Sequence, residues 1–304
     1  MRCCLIVATI GRTGQVEALL KSLADQRHRV LRVVLVDQNE DERLVEVVRR
    51  ATGSLAIEHV RISPHGVSAA RNAGLVRLGD AELVAFPDDD CVYDPDTLAT
   101  VIAAMNAFPQ AQAVMAALHL PKNVPKAAPK GARSNAPKAE GSGLSYPNRF
   151  GLLHGSNTFT LFFRRSRVDA VGGFDETLGP GAGTPWLSGE DTDYLVRAFS
   201  GRGSILRCPS ARVYHPAVDA TSAGYQAKAF GYGRGRIQLL RKHRYPRWFV
   251  LANVLHPLLR CVFASAADRA FRWHLFRGRW HEWTHATTNQ HSPVIDVLPG
   301  SRKI

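Results

Sequence analysis

Between residues 3 and 105, short apolar runs rich in valine alternate with segments whose apolar residues recur at helical spacing. Cys4–Ala8 reads as a buried strand, and Val16, Leu19, Leu20 and Leu23 follow on one helical face. Leu31–Val36, Leu55–Val60 and Leu83–Phe86 repeat the strand texture. Between them lie Leu44, Val47 and Val48 at helical spacing, then Val67–Leu78 with Val67, Ala70, Gly74, Leu75 and Leu78 on one side. Asp94-Pro95 reads as an N-cap followed by proline at the first helical position, opening a helix that carries Leu98, Ile102 and Met105. Parallel strands need crossovers, and helices supply them. The alternation therefore predicts an α/β fold with a mostly parallel sheet flanked by helices. Ligands of such sheets bind beyond the carboxyl ends of the strands. Asp37 and Asp88–Asp90 both stand at strand ends of this kind.

The texture changes at Pro121. From there to Pro147, five prolines are interspersed with Lys122, Lys126, Lys130 and Lys138, which predicts a flexible surface loop, either a solvated spacer or a lid over substrate. Order resumes with a strand at Thr158–Phe163, a helix at Glu190–Phe199 after Gly189, and closing strands at Ile205–Arg207 and Arg212–His215. No internal repeat is visible. The expected divisions are 1–120 as one half of a single domain, 121–147 as the loop, 148–222 as the second half, and 223–304 as a basic helical extension.

With 45% apolar and 21% charged residues, the chain reads as globular rather than disordered. Its formal charge of +13 calls for an anionic partner. That charge is concentrated: from Tyr225 onward there are 14 Lys/Arg against three Asp/Glu. In the same region Trp248–Ala264 is apolar but broken by His256-Pro257 and Arg260, too short and interrupted for a comfortable membrane span. Arginines and tryptophans flank it (Arg244, Arg247, Trp248, Arg269, Arg272, Trp273, Arg277, Arg279, Trp280, Trp283). Two readings stand: a helix lying in an anionic membrane interface, or a helical subdomain packed on the core with solvated basic residues. The five cysteines are scattered without C-x-x-C spacing, against a disulfide framework or zinc site and in favour of a reducing compartment. Cys3–Ile10 is short and lacks a small-residue cleavage site, so it reads as a first strand rather than a signal peptide.

Three consecutive aspartates repel one another unless a cation offsets them. Carboxylates together with phosphate oxygens are the ligand set that Mg2+ or Mn2+ prefers. In an extended segment Asp88 and Asp90 point to one side and Asp89 to the other, which assigns Asp88 and Asp90 to a metal-bound diphosphate. An acidic turn before the helix at Asp94 is the plainer alternative. Ser188-Gly189-Glu190-Asp191-Thr192-Asp193 is a second acidic cluster, which helix capping alone would also explain. The pairing of the two clusters suits group transfer: a cation to neutralise a leaving diphosphate, and a base to take a hydroxyl proton. A lone histidine such as His215 is either a ligand or structural.

The series Ala8-Thr9-Ile10-Gly11-Arg12, Val36-Asp37, Ala70-Arg71-Asn72-Ala73-Gly74, Phe86-Pro87-Asp88-Asp89-Asp90, Gly172-Gly173-Phe174-Asp175-Glu176, Gly189-Glu190-Asp191 and Val213-Tyr214-His215 resembles, in that order, family 2 glycosyltransferases of the GT-A fold. The resemblance spans roughly residues 3–220. It implies inversion at the anomeric carbon, a divalent cation (Mg2+ or Mn2+) held by Asp88 and Asp90 with His215 joining them, and Asp191 as the catalytic base. It further implies a nucleotide-sugar donor contacted by Thr9, Arg12, Asp37, Arg71, Asp88 and Asp89. Gly173, Phe174 and Glu190 fall on the acceptor side, and Gly155-Ser156-Asn157 matches the border of the donor sugar. The family often has a proline-threonine pair where this chain has Ala8-Thr9, and the Pro/Lys-rich loop has no counterpart.

The expectation is an inverting glycosyltransferase acting on a glycan or lipid-linked acceptor, cytoplasmic and peripheral at the inner face of the cell membrane, with no nucleic-acid partner. A sugar nucleotidyltransferase is one competing reading, but Gly11-Arg12-Thr13-Gly14 is a poor triphosphate loop. A non-enzymatic basic module binding membrane or nucleic acid is the other, and it leaves both acidic clusters unexplained.

Overall fold

The computed structural model describes residues 1–28, 31–63, 65–120, 143–153, 157–201, 203–216, 222–261 and 264–285. The expected alternation is present: β1 (Cys3–Thr9), α1 (Gly14–Ala24), β2 (Leu31–Asp37), α2 (Val45–Ala51), β3 (Ala56–Arg61), α3 (Gly66–Leu75), β4 (Leu83–Ala85), β5 (Val92–Tyr93) and α4 (Thr97–Ala107). Then follow β6 (Ala113–His119), β7 (Leu144–Ser145), β8 (Leu161–Arg164), α5 (Arg165–Val171), α6 (Glu190–Phe199) and β9 (Ile205–Tyr214). The extension forms α7 (Ala223–Lys242), α8 (Arg247–Cys261) and α9 (Ala266–Thr284).

All nine strands join one sheet in the order β3-β2-β1-β4-β8-β6-β9-β5, with β7 also on β9. The β3-β2-β1-β4 portion is parallel, as the crossover helices require. β8 runs antiparallel to both β4 and β6, which makes the full sheet mixed. Period-two alternation distributes the strands between two cores. Leu5, Val7, Val33 and Leu35 face the core shared with α1, α2 and α4, and Ile6, Val34 and Val36 face the one shared with α3 and α6. Gly74 lets α3 lie flat on the sheet, because a Cβ there would come within 2.4 Å of the Ile6 side chain.

Four local expectations change. The helix after the aspartates starts at Thr97, not at Pro95, because Thr97 N–H closes a turn on the Asp94 carbonyl and its hydroxyl donates to Arg212 O. The two closing strands are one ten-residue strand, β9, whose pairing with β6 shifts register between Ala116 and Ala117 and so absorbs the residues between Cys208 and Arg212. Thr158–Thr160 is a 3-10 turn before β8. Within the expected loop 121–147, Leu144–Ser145 is a strand on β9, while residues 121–142 lie outside the described residues.

α7–α9 enclose a third apolar cluster built on Ile237, Leu239, Leu240, Tyr245, Val250 and Val254. Ser222 caps α7, its hydroxyl accepting from Tyr225 N–H. Among the described residues, no helix is long and apolar enough to cross a membrane.

Candidate active site

A cleft of about 920 Å3 opens at the carboxyl ends of β1 and β4, within the size range of small-molecule sites. β4 delivers Phe86 into an aromatic cluster with Phe163, Phe174 and Tyr194, and this buried anchor fixes where the chain leaves the sheet. The next residues continue beside β1, with Asp88 bridged in parallel to Ala8.

The three aspartates divide, but not through extended backbone: Asp89 and Asp90 lie in a turn closed by Cys91 N–H on the Asp88 carbonyl. Asp89 turns toward β1, accepting from the Thr9 hydroxyl (2.7 Å) and from Arg12 Nη1 (2.7 Å). Asp88 and Asp90 turn toward His215, whose Nε2 lies 3.8 Å from Asp88 Oδ2 and 3.1 Å from Asp90 Oδ1. Arg12 Nη1 also reaches Asp90 Oδ2 at 2.5 Å. His215 follows β9 directly, stacks on Phe159, and donates Nδ1–H to the Pro216 carbonyl at 2.7 Å. A carbonyl cannot donate, so that contact places a proton on Nδ1, and Nε2 is the ring atom that faces the carboxylates; Asp90 beside it raises the imidazole above its ordinary range, against burial.

That arrangement fits a divalent cation. One ligand atom from each of Asp88, Asp90 and His215 lies within 4.8 Å of the others. Asp90 Oδ1 is buried and has no hydrogen-bond partner among the described residues, with His215 Nε2 3.1 Å away. Two carboxylates and an imidazole whose other ring nitrogen is held by a backbone carbonyl are the donor set of a metal site. Burial pushes the Asp88 carboxyl up to about 6 against the opposing pull of Arg71. Burial raises Asp89 too, with Arg12 and Thr9 opposing it. Burial acts upward on Asp90 as well, but His215 and Arg12 hold it below the ordinary carboxylate range.

Arg71 links the two acidic clusters. Only 3% exposed, it lies over the Phe174 ring, with Nη2 3.2 Å from Asp88 Oδ1 and Nη1 2.5 Å from Asp191 Oδ1. Its neighbour Asn72 exchanges hydrogen bonds with the Phe174 backbone, accepting from N–H at 2.7 Å and donating to the carbonyl at 3.0 Å. One helical motif thus supplies a cleft cation, a loop anchor and, at Gly74, a flat contact with the sheet.

Asp191 stands in the first turn of α6, where the helix dipole favours a carboxylate. Glu190 also lines the cleft, packed beneath Gly179, with Oε2 buried and without a hydrogen bond. Burial, and then the charge of Asp191, push its carboxyl up to about 8. Asp193 points away from the cleft, its buried carboxylate caged by Lys242 Nζ (2.6 Å), His243 Nε2 (2.8 Å) and Arg197 Nε (2.9 Å). These partners hold it well below the usual carboxylate range even though burial acts upward.

Thr9, Arg12, Arg71, Asp88, Asp89, Asp90, Glu190, Asp191 and His215 therefore share one cleft. Asp37, Gly173 and Phe174 do not line it. Asp37 is buried, with Oδ1 accepting from both nitrogens of Asn39 and Oδ2 2.9 Å from His59 Nε2. Asn39 in turn accepts from Gly11 N–H at 2.6 Å, so the Asp37 carboxylate organises the turn after β1 from beneath. Phe174 is buried under Arg71 and stacked on Tyr194, and Gly173 packs on Asn72, so both shape the floor rather than the opening. Gly155 and Ser156 lie outside the described residues, while Asn157 precedes the 3-10 turn.

The opposite wall was not anticipated. Tyr225, Lys228 and Tyr232 of α7 face the cleft, with the two tyrosine rings 5.7 Å apart. Their spacing is visible in the sequence, but nothing there says which face of that helix meets the sheet. α7 also seats the approach to α6. Leu187 packs where a Cβ on Gly231 would intrude, and Ser188 where one on Gly235 would. Ser188 Oγ donates to Tyr232 O at 3.0 Å. From α9, the buried Glu282 accepts from Trp186 Nε1 (3.1 Å) and Arg234 Nε (2.8 Å).

Comparison with known proteins bears on the fold and the family. No curated protein matches the chain by sequence. Among solved structures, a mannosyltransferase from Pyrobaculum calidifontis in complex with GDP-Man and Mn2+ superposes with a TM-score of 0.62 at 16% identity, over 93% of this chain and 87% of that one. TarS residues 1–349 of S. aureus, in complex with UDP-GlcNAc, gives 0.57 at 15% identity over 95% and 93%. GalNAc-T7 with UDP, GalNAc and Mn2+ gives 0.56 at 12% identity over 93% of this chain and 56% of that one. These likenesses show the GT-A fold. The profile of glycosyl transferase family 2 matches residues 4–167, more than half of the sequence, and the chain belongs to that family.

Proposed function

We propose that this chain transfers a sugar from a nucleotide-sugar donor to a glycan hydroxyl by a single displacement that inverts the anomeric carbon. The observation that carries the reading is the common cleft of Asp191 and the Asp88–Asp90–His215 group, joined by Arg71. Family membership and the nucleotide-sugar complexes of structural neighbours support the same donor class.

Asp191 is the base. Arg71 holds its Oδ1, and Oδ2 makes no hydrogen bond among the described residues, so one oxygen is oriented and the other is open to an acceptor hydroxyl. As the acceptor oxygen bonds to the anomeric carbon, its proton passes to Asp191. The bond from that carbon to the diphosphate oxygen breaks, and the nucleoside diphosphate leaves with the electron pair. A divalent cation, Mg2+ or Mn2+, held by Asp88, Asp90 and His215 would neutralise charge developing on that leaving group. Thr9 and Arg12 keep Asp89 turned away from the ligand group, so that two aspartates rather than three face it. Tyr225, Lys228 and Tyr232 supply the wall against which the acceptor lies.

The test is a panel of UDP-, GDP- and dTDP-sugars incubated with Mg2+ or Mn2+ and glycan acceptors, with the anomeric configuration of the product read by NMR. Asp191→Asn should lower turnover by at least about a hundredfold while leaving nucleoside diphosphate binding within about twofold. Retention of configuration, or near wild-type turnover in Asp191→Asn, would refute the assignment.

A further inference from the structure

α8 carries apolar residues on two opposite faces. Val250, Val254 and Pro257 are buried toward the rest of the extension. Trp248, Leu251, Leu255 and Leu259, spaced three, four and four residues apart, form a second stripe pointing away from it, with Trp248 68% and Leu259 71% exposed. Burying one face explains why α8 folds onto its neighbours. It gives no account of the other, which leaves four large side chains in water along three turns.

The charges around this stripe identify what it fits. Arg247 precedes Trp248, and Arg260 follows Leu259, so an exposed arginine closes each end. Arg244, Arg269 and Arg277 are also exposed, and none of the five has a carboxylate partner among the described residues. Trp273 and Trp280 stand half-exposed on α9, with Arg277 between them in sequence. The stripe is the convex flank of a helix, suited to sinking into a yielding surface. An apolar stripe that opens on the Trp248 indole and is flanked in sequence by Arg247 and Arg260 matches the acyl boundary and the anionic headgroups of a bilayer.

We infer that α8 is a lipid-docking helix, lying along an anionic membrane surface with Trp248, Leu251, Leu255 and Leu259 inserted and Arg247 and Arg260 on headgroup phosphates. Docking in this way anchors the chain on the surface without crossing it. The inference rests on α8 and its arginines and is independent of the sugar-transfer reading.

The test is flotation of the full chain with vesicles of phosphatidylcholine alone, and with vesicles containing about one-quarter phosphatidylglycerol, at low and high salt. The expected result is retention on the anionic vesicles, weakened by salt, with a blue shift of tryptophan fluorescence. Arg247→Glu/Arg260→Glu should weaken partitioning at least about thirtyfold, from loss of two surface cations. Trp248→Ser/Leu259→Ser should weaken it and abolish most of the blue shift. Both variants alter exposed residues, and unchanged circular dichroism confirms their folding. Failure of the wild-type chain to float, or full binding by Trp248→Ser/Leu259→Ser, would overturn the inference. So would concentration-dependent self-association that the same variants abolish without any vesicle binding, because that would assign the stripe to a second copy of the chain.

Discussion

Gly235→Ala tests whether the C-terminal helices position the base. A Cβ on Gly235 would stand 2.3 Å from Ser188 O and 2.8 Å from both Ser188 N and Oγ. Ordinary contact begins near 3.4 Å, so helix and loop must separate by about 1.1 Å. Two of the three opposing atoms are backbone, and no rotamer relieves the clash. Ser188 is three residues before Asp191 and is tied to Tyr232 O, so the separation is passed to the start of α6.

Misplacing a reacting group by about 1 Å costs on the order of a hundredfold in rate. Overpacking costs about 1–3 kcal/mol in stability, offset by roughly 1 kcal/mol of helix propensity gained when alanine replaces glycine. Turnover should therefore fall about a hundredfold with a net stability loss of no more than about 2 kcal/mol. Steady-state transfer with the donor found by the nucleotide-sugar panel measures the first quantity, and urea unfolding the second. Calorimetric titration with nucleoside diphosphate and Mn2+ should show binding within about twofold of wild type, because Asp88, Asp90 and His215 lie on other elements. Gly14→Ala, where the added Cβ meets open space, is the control. Turnover of Gly235→Ala within about threefold of wild type, or an equal loss of nucleotide binding, would refute the argument.

Asp90→Asn or His215→Ala should weaken Mn2+ binding at least about tenfold, measured by calorimetry. In the wild type, Mn2+ affinity should fall from pH 7 to pH 5, since ligands must be deprotonated and Asp88 titrates at about 6; a flat profile would remove Asp88 from the ligand set. Asp193→Ala removes the buried carboxylate shared by Lys242, His243 and Arg197, while Lys242 keeps Asp175, and should cost about 1.5–3 kcal/mol by urea unfolding at pH 7. Because the folded Asp193 carboxyl titrates below its ordinary value, its stabilisation is complete above about pH 4 and is lost as the pH falls toward the folded value. Wild-type and variant stabilities should therefore converge in acid, and a constant gap would exclude the ion cage as the cause. Glu190 has the opposite sign: the folded state keeps a proton that the unfolded chain releases, so stability declines between roughly pH 4 and the folded value of about 8. Glu190→Gln should flatten that decline in thermal melts, with its largest relative gain above pH 8; parallel curves would show that the burial of Glu190 is not what is being titrated.

What the sequence makes legible follows from range. Valine-rich runs and helical periods are local, so the parallel strands and crossover helices from β1 to α4 emerge from them nearly in place, although the two-residue β5 does not; the opposed directions of Asp89 and Asp90 come from a turn that starts at Asp88, not from extended backbone. Pairing is not local. Thr158–Phe163 has strand composition whichever way it runs, and only the closing of β4, β8 and β6 into one sheet makes β8 antiparallel. Residues 208–211 interrupt the apolar run and read as a gap between two strands, yet the partner strand β6 tolerates them as a register shift. Asp37 shows the same limit at the site. A carboxylate at a strand end is chemically apt for a ligand, and the partners that orient it, His59 on the adjacent strand and Asn39 two residues on, appear together only when β3 is laid beside β2. The α7 wall is the largest omission, because a basic helix with two tyrosines carries no mark of what it faces. Its glycines do. Gly231, Gly233 and Gly235 recur every second residue, a spacing that puts them on more than one side of a helix. Each is occupied: Gly231 by Leu187, Gly235 by Ser188, and Gly233 by the backbone of α9 at Leu275 and Gly278. A helix that gives up side chains in several directions is held between neighbours, here the Leu187–Ser188 segment that leads into α6 on one side and the helix that carries Glu282 on another. The basic extension thus forms part of the cleft wall, and a chain truncated before α7 should retain the Asp88–Asp90–His215 group while losing the support of the segment that leads to Asp191.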